Sequence, residues 1–255
     1  GGWQERLPRK CLNDIWLQLK TEESFLSQHG FYDSYYEQPH PWEKDLSPGG
    51  EEERVKQTIA LIPQDVSSIL DVGCGGGWVT NRLTSIYPLV VGLDISREAL
   101  RYVKADKLLG SIDSLPFPDS SLDLVLCTEL LEHLPYNVYS KALTELERVA
   151  RKYLLICVPN EEDLRAGLVR CPYCGCLFHS SRHLRSFNAG ALATLFNKFR
   201  MQNCQAIGIP TRRHGRFLVW LARLFRLVPQ ITSTALCPQC GYTPSARGYL
   251  KVPST

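Results

Sequence analysis

The sequence predicts an α/β fold with an open, largely parallel sheet and helices on both faces. Three observations carry this. Short apolar runs alternate with helical patterns along most of the chain. A glycine-rich turn follows the first core run directly, and an acidic residue ends the second. Ser67–Val72 is short, mostly apolar and bounded by turn-prone residues, so it reads as a buried strand. Gly73, Gly75 and Gly77 then let the backbone turn sharply and let a ligand approach main-chain N–H groups with no Cβ between. A pyrophosphate-binding loop wants a small residue near position 78, where Trp78 stands. Asp71 also places negative charge just before the loop, so a cationic ligand is the better match.

The remaining elements follow in order. Leu12–Leu26 carries a helical pattern, and Phe31, Tyr32, Tyr35, Tyr36 and Trp42 crowd the next stretch. Those rings can pack the amino-terminal region onto the domain. Glu51–Ile62 is an amphipathic helix stopped by Pro63, and a second helical pattern runs from Val79 towards Ile86. Leu89–Leu93 is the second strand, ending at Asp94, whose two carboxylate oxygens can accept both hydroxyls of a ribose or else cap the next helix. Ser96 opens that helix, which runs through about Ala105. Leu122–Cys127 is the fourth strand, Asn137–Val149 a helix, Tyr153–Val158 the fifth strand and Asn188–Phe199 a helix behind an Asn cap. Gln202–Ile209 is expected as the sixth strand and Arg247–Val252 as an antiparallel seventh. The expected division is a helical cap over 1–50 and a main domain over 51–255, with lid elements at 165–185 and 210–245.

The totals narrow the partners. The 255 residues suffice for one large α/β domain, and 29 basic against 26 acidic side chains give a net charge of +3. That balance alone does not argue for nucleic acid. No apolar run is long enough to span a bilayer, and a cytoplasmic location is expected. Ten cysteines are many for such a compartment. Four of them form two near-identical units, Cys171-Pro-Tyr-Cys174-Gly and Cys237-Pro-Gln-Cys240-Gly, the pattern of a structural four-cysteine zinc site. The first unit follows strand five, and the second lies in the last insertion, so zinc would clasp two loops over the active-site edge. Arg212–Val228 interleaves five arginines with apolar residues. It reads as a lid helix, with lipid at a membrane surface or phosphate groups as alternative contacts.

Taken together, the motifs resemble those of the class I S-adenosylmethionine-dependent methyltransferases, in their small-molecule branch. Asp71-Val-Gly-Cys-Gly-Gly-Gly77 resembles the family's first motif, and Gly110-Ser-Ile-Asp-Ser-Leu-Pro-Phe117 its third signature, with Ser111 where Asp is usual. Thr128-Glu-Leu-Leu-Glu-His-Leu134 is similar to the segment after strand four, and Phe178-His-Ser-Ser-Arg182-His183-Leu-Arg-Ser-Phe187 to a loop at the substrate pocket. The resemblance implies a Rossmann-like seven-stranded sheet, six strands parallel and the seventh antiparallel. It implies S-adenosylmethionine contacts at Asp71, Gly73, Gly75, Asp94, Ile95, Ile112, Asp113 and Glu129, with adenine against Ile112. For the rings between Phe31 and Trp42 it implies the alternative to packing, a cap over the substrate. Structural zinc would sit on Cys171, Cys174, Cys237 and Cys240.

Methyl transfer to a hydroxyl or amine also needs a base. His133 and His183 are the candidates; the first is otherwise a packing residue, the second a helix-entry residue or one supporting the zinc. Glu132 is placed to orient His133. O-methylation of a small biosynthetic intermediate is the leading expectation. An RNA base methyltransferase and a cofactor-binding module without catalysis are the alternatives.

Overall fold

The computed structural model describes residues 28–37, 51–207, 231 and 235–244. The expectations on Leu12–Leu26, Trp42, Arg212–Val228 and Arg247–Val252 lie outside the described residues.

Five parallel strands form the central sheet: β1 (Ser68–Val72), β2 (Leu89–Asp94), β3 (Asp106–Leu109), β4 (Leu122–Thr128) and β5 (Ala150–Cys157), in the order β3-β2-β1-β4-β5. The pairing runs Ile69 beside Val90 on one side of β1 and Ile69 beside Leu124 on the other. The helices are α1 (Gln28–Tyr36), α2 (Glu51–Ala60), α3 (Thr80–Leu83), α4 (Arg97–Leu100), α5 (Tyr136–Val149) and α6 (Ala189–Ala193). Strand alternation sends Leu70, Val72, Val125 and Cys127 into one core with Ala142, Leu146 and Val149 of α5. Ile69, Leu124 and Leu126 face the other way, onto Val55 of α2 and Leu83 of α3. Both faces of β1 and β4 are therefore covered, which is why these strands read as nearly unbroken apolar runs.

One buried carboxylate ties the amino ends of three strands together. Asp123 of β4 is 1% exposed. It accepts hydrogen bonds from the Ser67 N–H (3.0 Å) and Ser67 hydroxyl (2.7 Å), and from Arg151 Nη2 of β5 (2.7 Å). Its own N–H donates to Ser68 Oγ of β1 at 2.9 Å. The Ser67 hydroxyl and then the Arg151 guanidinium hold this carboxyl far below the usual carboxylate range.

Several expected elements are shorter or missing: the helices expected from Val79 towards Ile86 and from Ser96 through about Ala105 are only α3 and α4. The helix expected over Asn188–Phe199 is only α6, capped by the Asn188 side chain on the Ala191 N–H at 2.8 Å. It buries none of its own residues, so little packing extends it. The expected sixth strand does not form over residues 202–207, which run irregularly along the edge of β5, across a cavity of about 1400 Å³. Gln202, Asn203 and Gln205 are poor strand formers, and Ile207 is the one β-branched residue in that run. The described sheet thus has five strands, not the seven expected.

A separate antiparallel pair, β6 (Leu168–Arg170) with β7 (Leu177–His179), follows the sheet. Its connection, residues 171–176, holds the first cysteine unit. Among the described residues, no helix is long and apolar enough to cross a membrane.

Asp123→Asn should lower the thermal midpoint at pH 7. A depressed folded-state pKa contributes stability above the unfolded value, and this is lost as pH falls. The gap between variant and parent should therefore narrow as pH drops below about 4, measured by thermal denaturation across pH.

Candidate cofactor crevice and its histidine wall

The crevice lies at the carboxyl ends of β1, β2 and β4, where open parallel sheets leave room beside a change in strand order. After β1, the Gly73 and Cys74 N–H groups both donate to the Leu93 carbonyl, at 2.7 and 3.1 Å, which folds the loop back over β2. Gly73 has φ +72°, and a Cβ there would come within 2.5 Å of Leu130. Gly75 has φ +52°, and its Cβ would meet the Tyr36 hydroxyl at 2.4 Å. Both positions need glycine for conformation and for space.

Asp94 closes the far side. One carboxylate oxygen accepts the Gly75 N–H at 2.8 Å and the other the Ser96 N–H at 2.8 Å. Each oxygen keeps a lone pair for a further donor. Ser96 caps α4 through the Ala99 N–H, and its hydroxyl donates to Asp33 Oδ1 of α1 at 2.7 Å. Burial holds the Asp94 carboxyl above its ordinary pKa. Helix α1 therefore lies across the crevice, with Tyr36 on Gly75 and Tyr32 at the wall. About 50 Å³ of free space remains between Gly73, Asp94, Ile95, Ile112, Tyr32 and His133.

The opposite wall grows from the end of β4. Glu129 adopts φ +53°, a left-handed backbone that costs a non-glycine residue on the order of 1–3 kcal/mol. Its N–H donates to the Cys157 carbonyl at 2.9 Å. The chain then makes a single 3-10 turn, Leu131–His133. Glu132 is fully buried, and burial together with the Glu129 carboxylate pushes its carboxyl up to about 8. His133 Nε2 lies 3.8 Å from Glu132 Oε1. Burial and then the His183 ring push the His133 imidazole down to about 3, so it is neutral at pH 7.

The segment after β7 is laid over this turn. The Leu184 N–H donates to the Glu132 carbonyl at 2.7 Å, and Arg185 Nη1 to the Leu131 carbonyl at 2.6 Å. Arg185 stands 4.0 Å over the Tyr139 ring, and Arg182 3.8 Å over Phe31 of α1. His183 packs edge-on against His133 (4.7 Å between centroids) and stacked on His179 (4.9 Å). Its Nδ1 lies 2.5 Å from Glu162 Oε2. Although burial opposes it, the imidazoles of His179 and His183 hold the Glu162 carboxyl down at about 2.

The four cysteines converge at the base of the same hairpin. Cys171 and Cys240 sulfurs are 3.6 Å apart, as are those of Cys174 and Cys237, and all four lie within 4.8 Å of one another. These separations far exceed a disulfide bond of about 2.05 Å. They match the edge of about 3.8 Å of a sulfur tetrahedron around an ion with metal–sulfur bonds of about 2.3 Å. The two units are built alike. The Gly175 N–H returns to the Cys171 carbonyl at 3.0 Å and the Gly241 N–H to the Cys237 carbonyl at 2.9 Å. Val169, Phe178, Ile231 and Ala235 form a small core beneath.

Of the residues expected from sequence, Gly73, Asp94, Ile95, Ile112 and His133 border the crevice, and Gly75 is tied to Asp94. Asp71 is 1% exposed and turns its carboxylate onto the Thr80 hydroxyl at 2.6 Å; burial raises it to about 6. Asp71, Asp113, Glu129 and His183 are not among the residues bordering that space. Ser111, the alternative to Asp113 near the adenine amine, and Arg182, within the loop expected at the substrate pocket, do line it; sequence reasoning missed Leu130 as lining and Glu162 as the partner of His183. Glu162 is one of two consecutive glutamates in a polar connection, with no spacing to single it out.

Comparison with known proteins agrees with this geometry. Residues 70–156 match the family described as a methyltransferase domain, which covers β1 through β5. An uncharacterised protein of Methanocaldococcus jannaschii is 33% identical over 143 residues, 52% of this chain and 61% of that protein. The ubiquinone biosynthesis O-methyltransferase of Albidiferax ferrireducens is 31% identical over 86 residues, 29% of this chain and 34% of the enzyme. The chain thus spans between a third and three fifths of these relatives. Among solved structures, a Haemonchus contortus phosphoethanolamine N-methyltransferase in complex with S-adenosylhomocysteine is 19% identical, with a TM-score of 0.44 over 52% of this chain and 31% of that one. Residues 70–156 are thus similar to a methyltransferase domain.

Proposed function

We propose that the protein transfers a methyl group from S-adenosylmethionine to the hydroxyl of a small biosynthetic intermediate. The observation that carries this reading is the crevice in which the Gly73–Gly75 main chain and the Asp94 carboxylate face the histidine wall. When bound, S-adenosylmethionine supplies an electrophilic methyl on a sulfonium sulfur. The residues suit it: Asp94 keeps a lone pair on each oxygen for the ribose hydroxyls, and Ile95 and Ile112 offer an apolar slot for the adenine. Tyr32 lines the crevice and the Tyr36 hydroxyl sits against Gly75, so α1 would withdraw for the cofactor to enter and then close over it.

The chain's remaining contribution is alignment and exclusion of water, which carry most of an in-line transfer. Helix α1 and the 179–187 segment, joined where Arg182 covers Phe31, roof the reacting groups. His133 borders the crevice, and His183 packs against it from behind, so the two would lie on the acceptor side. Four-cysteine binding of a structural zinc fits the sulfur separations, and the ion would hold the hairpin from which the 179–187 segment emerges.

Calorimetry with S-adenosylhomocysteine should give saturable binding, and Asp94→Ala should weaken it at least tenfold, about 1.4 kcal/mol. Equal affinity in the variant would remove the ribose assignment. Tyr36→Ala, which clears the hydroxyl seated on Gly75, should tighten the same ligand, whereas unchanged binding would mean that α1 does not compete for the crevice. Cys174→Ser with Cys237→Ser should lower the zinc content, by elemental analysis, by one equivalent per chain; a folded variant with undiminished zinc would rule out the clasp.

A further inference from the structure

We propose that Glu132, His133 and His183 hold a divalent cation beside the cofactor crevice, separate from the ion on the four cysteines. The donor atoms of these three side chains lie within 4.8 Å of one another. Glu132 is fully buried, and among the described residues neither carboxylate oxygen has a hydrogen-bond partner. His133 Nδ1 is likewise buried and unpartnered. A buried carboxylate without donors is costly, and a proton on one oxygen would leave its O–H just as unmatched. A cation would answer the Glu132 carboxylate and one ring nitrogen of each histidine.

The surrounding atoms favour this trio over its neighbour. Glu162, His179 and His183 also cluster within 4.8 Å. However, His179 Nδ1 accepts the backbone N–H groups of Ser181 (3.3 Å) and His183 (3.2 Å). That puts the His179 proton on Nε2 and removes it as a ligand. Glu162 does something different: it takes the Nδ1 proton side of His183 and leaves Nε2 with its lone pair. Carboxylate support of this kind is the usual second layer around a metal-bound imidazole.

One carboxylate and two imidazoles suit a first-row divalent ion with coordination positions left open. Because His133 borders the crevice, an ion held there would be within reach of it. There the ion would bind the acceptor oxygen and lower the pKa of its hydroxyl, with the two histidines serving as ligands instead of bases. That acceptor role rests on the methyltransferase reading; the cation site does not.

The test is electron paramagnetic resonance titration of the full chain, zinc retained, with Mn2+ as probe. One saturable Mn2+ per chain is expected, with nitrogen couplings from imidazole in the pulsed spectrum. His183→Ala and Glu132→Gln should each weaken binding at least tenfold, with folding checked by circular dichroism. No saturable binding to the folded parent overturns the site, as does bound Mn2+ lacking nitrogen couplings, even if the variants fail to fold. S-adenosylhomocysteine binding measured on the same samples separates the two readings. Nucleoside bound without Mn2+ sinks only the cation site, and Mn2+ bound without nucleoside sinks only the methyltransferase assignment.

Discussion

The carboxylate of Asp94 is the joint on which the crevice turns. Its two oxygens take the N–H of Gly75 from the loop after β1 and the N–H of Ser96 at the mouth of α4. Two neighbouring strands are thereby locked at their carboxyl ends, and the loop glycines are held against the space beyond. Ser96 carries the connection onward to Asp33, so α1 is seated by the same network. A ligand that hydrogen-bonds Asp94 thus meets a group already fixed in place, which spares the entropy of ordering it.

The opposite wall is organised by main-chain carbonyls instead of side-chain acids. Leu131 and Glu132, in a single 3-10 turn, present their carbonyls to Arg185 and to the Leu184 N–H. These bonds bring a segment from beyond the cysteine hairpin onto the end of β4. The strained Glu129 backbone begins this turn, and the histidine cluster ends it. The two walls of the crevice are therefore built by different parts of the chain, joined where Arg182 stacks on Phe31.

The central strands were legible because burial on both faces demands long apolar runs, and β1, β2, β4 and β5 lie within a residue or a few of where those runs put them. The glycine loop and Asp94 were legible for a related reason: few residue types satisfy a positive φ or the end of a strand facing a ligand. The sixth strand was not, since its expectation rested on position in the chain while the composition of Gln202–Ile207 opposes it. Nor was the role of α1, because five aromatic residues fit equally well as a cap or as packing until the contact of Tyr36 with Gly75 is known. Glu162 and Arg182 act through contacts distant in sequence, which no local pattern encodes. Glu132 was expected to orient His133, yet at 3.8 Å it makes no hydrogen bond to it.

The paired cysteine turns also impose an order on assembly. Cys174 meets Cys237, 63 positions further along. On a ribosome adding about 5–20 residues per second, the hairpin waits roughly 3–13 s for its second half to emerge. Through that interval β1 to β5 can already pair, while the stretch bearing His179, Arg182 and His183 still lacks its anchor. The glycine loop and Asp94 are thus in place before the wall that faces them.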